Sequence, residues 1–378
     1  MARLLKKIRT AIRVLRKPVR FKPQKRINFF PISTSPAIIF TTASQTLGVI
    51  DTVYQQFDRT HPITFLISFT WRRTPGVLGY LKRELNELHD RYPNLKVVFL
   101  SNSTEEYRMT KMFGIPTRLI PNNTFQREDQ FDIIEGTPKT LDAIMNARLL
   151  RWKRIELARN VQSLGLITVV DDEAYFAQLK QMMPQAQWLN FASGSYDYLT
   201  RPEVGHLLNS ARSGLILSSA EGNNRASIEY LLCGVPVVST KSKGGREMFF
   251  DPDYCYIVDA NPKAVADGVA RAVANTVPPE VIRSKTLDKI VAYRRDLDAL
   301  VQELSDGRAR VDVENWTERY IDNMVFRSKA EHFMPFFESD FMNRAPLYRS
   351  DTTLKKEEPE LWRAIVGAKA VETEGPSA

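Results

Sequence analysis

Short apolar runs alternate with amphipathic stretches over most of the chain, and that alternation predicts strands and helices taking turns. Residues 37–40, 63–68, 96–100 and 117–120 read as strands, with helices near 44–57, 77–91 and 105–113 between them. A second set has strands at 141–145, 166–170 and 188–191, helices from about 152, at 173–183 and at 202–211, and a further strand opening at Gly214. Alternating strands and helices argue for parallel sheets. Beyond Pro262 the pattern is helical, at 263–274, 279–305 and 313–327, and the end from about 355 reads as one Trp-bearing turn and a frayed tail. Residues 19–36 are rich in Pro and Lys/Arg and read as an extended linker.

At 378 residues the chain has room for two domains. Its net charge of +9 is unevenly placed, because residues 1–26 hold eleven bases and no acid. Within 1–17, Leu4, Leu5, Ile8, Ile12 and Leu15 recur at helical spacing among those bases, until Pro18 stops the pattern. Such a helix suits an anionic membrane surface, apolar side down. The competing readings are a solvated arm, one that packs on the protein and one that binds nucleic acid; no nucleic-acid partner is expected. Two cysteines, Cys233 and Cys255, make no disulfide framework. No run is long and apolar enough to span a membrane, and no secretory leader is visible. The expectation is a cytoplasmic protein, peripheral on the inner face of the membrane.

The chemistry concentrates between Gly214 and Glu247. An apolar run, Leu215-Ile216-Leu217, breaks at Ser218-Ser219, and a helical pattern resumes near Arg225. Loops at the carboxyl ends of strands are where α/β proteins bind ligands. Glu221 falls in this turn and Glu229 in the helix, with Gly222-Asn223-Asn224 between them. Free N–H groups and the positive helix end at 224–226 suit a phosphate, and each carboxylate can accept hydrogen bonds from a vicinal diol. One turn can therefore hold a sugar, a diphosphate and a ribose.

Glu221 and Glu229 at E-x7-E spacing, then Cys233-Gly234-Val235-Pro236-Val237-Val238 and Gly244-Gly245, stand in the order found in retaining glycosyltransferases of the GT-B fold, family four type. The segment resembles that family. Asn146-Ala147-Arg148-Leu149-Leu150-Arg151-Trp152-Lys153 is similar to its GRLxxxKG turn, with Ala147 for glycine and Arg154 after the lysine. The resemblance implies an α/β protein with two Rossmann-like domains whose parallel sheets face a cleft. The basic arm would be 1–26, a reduced acceptor-side domain 27–130 and the nucleotide-sugar domain 131–305. Helices of 306–378 would pack back over the cleft before a flexible tail, with Trp316, Tyr320 and Phe326 making that docking.

The resemblance further implies roles. Glu221, Arg148 and Lys153 would carry catalysis, Glu221 on sugar hydroxyls and the two cations on the diphosphate. Glu229 would take the ribose, Gly222, Asn223, Asn224 and Arg225 the donor phosphates, and Gly194 the neighbourhood of the base. The donor would be a nucleoside-diphosphate sugar and the acceptor a glycan or lipid-linked molecule, with no metal or other cofactor. The literal D-x-D at Asp251-Pro252-Asp253 reads as a surface bend, and the histidines His61, His89, His206 and His332 as structural. The glycine-rich first loop and acceptor-side histidine of the family have no counterpart. That leaves two weaker readings, a non-catalytic GT-B module that binds nucleotide-sugar or glycan and a nucleotide-sugar epimerase.

Overall fold

The computed structural model describes residues 21–344 and 347–367. The expected amphipathic helix at 1–17 and the frayed tail lie outside the described residues. The chain divides into two compact units, one holding the described residues up to Phe125 together with those from Tyr293, the other Gln126–Ala292. The sequence drew its lines after 130 and after 305. The second boundary instead falls within the helix Pro279–Ser305.

The first unit is built on a six-stranded sheet ordered β12-β1-β2-β3-β4-β5. Its strands are β1 Arg26–Thr34, β2 Ala37–Ala43, β3 Ile63–Phe69, β4 Leu95–Ser101, β5 Thr117–Leu119 and β12 Phe326–Lys329. From β2 to β5 the pairing is parallel. All seven residues of β3 are buried, as expected of a strand covered on both faces. The helix Pro75–Arg91 starts where Thr74 accepts the Val77 amide and Pro75 supplies a preset φ; Leu78, Leu81, Leu85 and Leu88 form its buried stripe.

Three expectations are overturned. The linker expected at 19–36 contains β1, which pairs antiparallel with both β2 and β12. Ile27, Phe29 and Phe30 are buried there, and Pro31 sits at a register shift, the place a strand tolerates a residue without an N–H. The helix expected at 313–327 is only a turn, Trp316–Arg319, followed by β12. Phe326 meets Phe29 edge-on at 6.1 Å, and Trp316 and Tyr320 are buried against Phe125 and Phe30, so the end of the chain supplies core to its beginning. Each such buried ring stabilises the unit by roughly 1.5–3 kcal/mol. The third correction is the helix expected from about 152, which is two 3₁₀ turns, Arg151–Lys153 and Ile155–Ala158, parted by Arg154 at φ 55°.

The second unit carries β6 Ala143–Asn146, β7 Leu164–Ile167, β8 Gln187–Trp188, β9 Gly214–Ile216, β10 Val237–Thr240 and β11 Cys255–Val258. They form one sheet ordered β11-β10-β9-β6-β7-β8, with every pairing parallel. This is the doubly wound Rossmann order, and its direction of winding reverses between β6 and β9. Ala143, Met145, Leu215, Leu217 and Val238 pack with the helices Glu173–Met182 and Pro262–Val273. The alternate positions Ile144, Ile216 and Val237 are equally buried. The helix Arg225–Leu232 opens on Asn224, whose side chain accepts the Ser227 amide at 3.0 Å. It closes at Gly234, φ 68°, where the Val235 amide reaches back to the Tyr230 carbonyl at 2.9 Å.

Candidate active site

The loops leaving β6, β9 and β10 emerge at the reversal point of the second unit, where a doubly wound sheet opens to ligands. Glu221 lies in the loop after β9, its side chain only 6% exposed. Lys153 Nζ donates to Glu221 Oε1 at 2.5 Å, and Asn224 Nδ2 donates to the same oxygen at 3.0 Å. A carboxylate so enclosed needs such donors, because an unpaired buried charge is far costlier than a paired one. The turn itself is held by the β10 loop. Glu221 donates its amide to the Lys243 carbonyl at 2.9 Å, and Gly245 donates to the Gly222 carbonyl at 3.0 Å. Gly244 stands at φ 133°, and a Cβ there would fall 1.8 Å from the Glu221 carbonyl oxygen. Only glycine fits that approach.

Glu229 is half-buried in the helix, with Asn146 Nδ2 donating to its Oε2 at 3.4 Å. The backbone N–H of Asn146 donates to the Tyr230 hydroxyl at 2.7 Å, so one helix turn secures the end of β6. Glu221, Lys153 and Asn224 are thus brought together directly, while Gly222 joins through the backbone and Glu229 contacts Asn146 at the end of β6. Asn223 is half-buried and Arg225 exposed at the helix opening. Arg148, in the loop after β6, is 62% exposed and paired with Asp171, Nε to Oδ2 at 3.0 Å. Gly194 lies beyond β8, with β6 and β7 separating that edge strand from β9. Its φ of 88° shapes a turn in which the Ser193 hydroxyl donates to the Asp197 carboxylate.

Two arginines went unassigned in the sequence. Arg154 donates from Nε to the Leu217 carbonyl at 2.7 Å and from its guanidinium to Thr240 Oγ1 at 2.6 Å. Arg246, 1% exposed, donates to Ser218 Oγ at 2.7 Å, to the Ser218 carbonyl at 3.1 Å and to the Thr240 carbonyl. Burial pushes its guanidinium down to about 10, against the opposing pull of Glu221. The sequence carried little signal for it: Arg246 follows Gly244-Gly245 in a polar stretch whose neighbours Lys241 and Lys243 are exposed. Asp251 and Asp253 share Lys285, at 3.3 and 2.9 Å. Among the described residues no group of three acidic, Cys or His side chains is arranged to hold a metal ion.

No family profile and no curated protein sequence matches this chain. Solved structures do. Sucrose-phosphate synthase from Thermosynechococcus elongatus is 18% identical, aligning over 71% of this chain and 73% of that one with a TM-score of 0.51. A glycosyltransferase from Rickettsia africae is 14% identical over 71% and 76%, TM-score 0.51. Anabaena HepE in complex with UDP and glucose is 13% identical over 68% and 75%, TM-score 0.50. What they share with this chain is the fold, and that fold is GT-B, two Rossmann-like α/β units.

Proposed function

We propose that the protein is a retaining glycosyltransferase of the family four type. It moves a sugar from a nucleoside-diphosphate sugar to a glycan or lipid-linked acceptor at the cytoplasmic face of an anionic membrane. The observation that carries this reading is the buried Glu221 held by Lys153 and Asn224 where the winding of the second sheet reverses. The solved proteins of like fold support it, one of them bound to UDP and glucose.

In this reading Glu221 accepts hydrogen bonds from sugar hydroxyls, and Glu229 accepts them from the ribose. Lys153 and Arg148, with the amides of Asn223, Asn224 and Arg225, offset the charge that grows on the diphosphate as the bond to the anomeric carbon breaks. Lys153 then divides its donors between Glu221 and phosphate, as three N–H groups on one nitrogen permit. The acceptor oxygen bonds to the anomeric carbon on the face the diphosphate leaves, and its proton passes to a departing phosphate oxygen. No protein nucleophile and no metal enter this scheme. Gly194 marks the side on which the base would lie, and residues 1–17 would hold the anionic surface.

Thermal shift against UDP, GDP, ADP and CMP derivatives identifies the donor, and turnover of the stabilising nucleotide-sugar tests transfer. The expected result is stabilisation by one diphosphate class, release of that nucleotide and retained anomeric configuration in the product. Binding without turnover under any acceptor would leave a nucleotide-sugar binding module instead.

A further inference from the structure

We infer that Arg154 and Arg246 are positioning residues for Glu221: together they staple the carboxyl ends of β9 and β10 and thereby fix the turn that presents the carboxylate. The inference rests on the reading of this loop cluster as the transfer site, although its geometry stands without that reading. A guanidinium with 1% exposure is an expensive occupant of a core, since an apolar side chain of like volume avoids the loss of hydration. Its placement therefore calls for a reason, and the acceptors it serves supply one. Arg246 bonds Ser218, three residues before Glu221, and Thr240, three residues before Lys243. Lys243 is the residue whose carbonyl takes the Glu221 amide proton.

Arg154 grips the same two strand ends from a third segment. Its bonds to the Leu217 carbonyl and Thr240 Oγ1 are joined by one from Thr240 Oγ1 to the Leu217 carbonyl at 3.0 Å. The left-handed backbone at Arg154 lets adjacent side chains diverge, Arg154 toward the strand ends and Lys153 to Glu221. The Ser219 amide donates to the Trp152 carbonyl at 3.2 Å, closing the connection between the two segments. Three loops are thus tied by two guanidiniums at strand ends next to the proposed chemistry. Rigid support of this kind matters because a small misplacement of a reacting group costs rate while leaving binding largely intact.

The decisive measurement is a double-mutant cycle between Lys153→Ala and Glu221→Ala, read as thermal midpoints, in the wild-type and Arg246→Gln backgrounds. If Arg246 positions the turn, the non-additivity of the two shifts falls by at least about half without it. Unchanged non-additivity overturns the proposal. Should Arg246→Gln fail to fold, Arg154→Gln and Arg246→Lys carry the same cycle with the same two outcomes. A second readout uses UDP-glucose turnover beside UDP binding. Arg154→Gln is expected to lower kcat by roughly 10²-fold while UDP affinity stays close to wild type. Equal loss in both overturns positioning in favour of simple binding. A wild-type protein that neither binds UDP nor cleaves UDP-glucose counts against UDP-glucose as donor and weakens the transferase reading, yet the stability cycle still decides whether Arg246 holds the Lys153–Glu221 pair.

Discussion

Glu221 and Glu229 sit in different surroundings, and their substitution should separate accordingly. Glu221 is enclosed and bonded to Lys153, while Glu229 is half-buried, with Asn146 Nδ2 among its donors at 3.4 Å. Glu229→Ala is expected to weaken nucleotide-sugar binding by about 1–3 kcal/mol, the worth of a lost charged hydrogen-bond partner. Glu221→Ala should instead depress kcat more than affinity; titration calorimetry beside initial rates distinguishes the two. In the first unit, Asp351 is 5% exposed and serves several donors at once. Burial raises its carboxyl, but His332, the Lys329 amide, Arg26 and Ser328 outweigh burial and hold it well below the ordinary carboxylate range. A depressed native pKa contributes stability that is present above the unfolded value, about 3.9, and is lost as pH falls toward the native one. Asp351→Asn should therefore cost about 2 kcal/mol at neutral pH, and the gap from wild type in urea melts should narrow below about pH 4.

The elements that shape the site do so through backbone contacts as much as through side chains. The loop after β10 approaches the Glu221 turn so closely that a methyl group at Gly244 has no room, and φ there is one that L-residues rarely adopt. Gly244→Ala should destabilise the second unit by roughly 1–3 kcal/mol and weaken nucleotide-sugar binding with it. Wild-type melting with lost binding would show that the turn can relax while the site cannot. The 3₁₀ pair at 151–158 makes the complementary point. Residues 151–158 contain good helix formers, but the bonds of Arg154 to Leu217 and Thr240 go with a left-handed residue that ends any helix there.

For the molecule as a whole, the first unit is completed by the end of the chain. Arg26 stands opposite Lys329 in the β1–β12 ladder, and Phe29 opposite Phe326, so β1 is covered on one side by a strand about 300 residues further along the chain. The basic arm ahead of Phe21 is a separate matter, argued from its composition. A chain lacking residues 1–17 is expected to lose binding to phosphatidylserine vesicles and to keep its nucleotide-induced thermal shift, with co-sedimentation and melting as the measurements. Continued sedimentation with vesicles would move the membrane contact elsewhere.

Much of both sheets was legible in order along the chain, because a buried parallel strand announces itself as a short apolar run and its helix as an amphipathic repeat. The stretch holding Glu221, Asn224 and Glu229 was legible for the same reason: it is contiguous, strand then turn then helix. Pairings between distant segments were not. Nothing within 19–36 shows that Phe29 will be covered by Phe326, and Pro31 argues locally against a strand that the register shift there permits. Nor does an arginine in sequence disclose which carbonyls it will meet. Local periodicity determined most of the elements and the placing of the acidic turn, whereas the β1–β12 pairing and the guanidinium staple were decided only when remote backbone groups came within hydrogen-bonding reach.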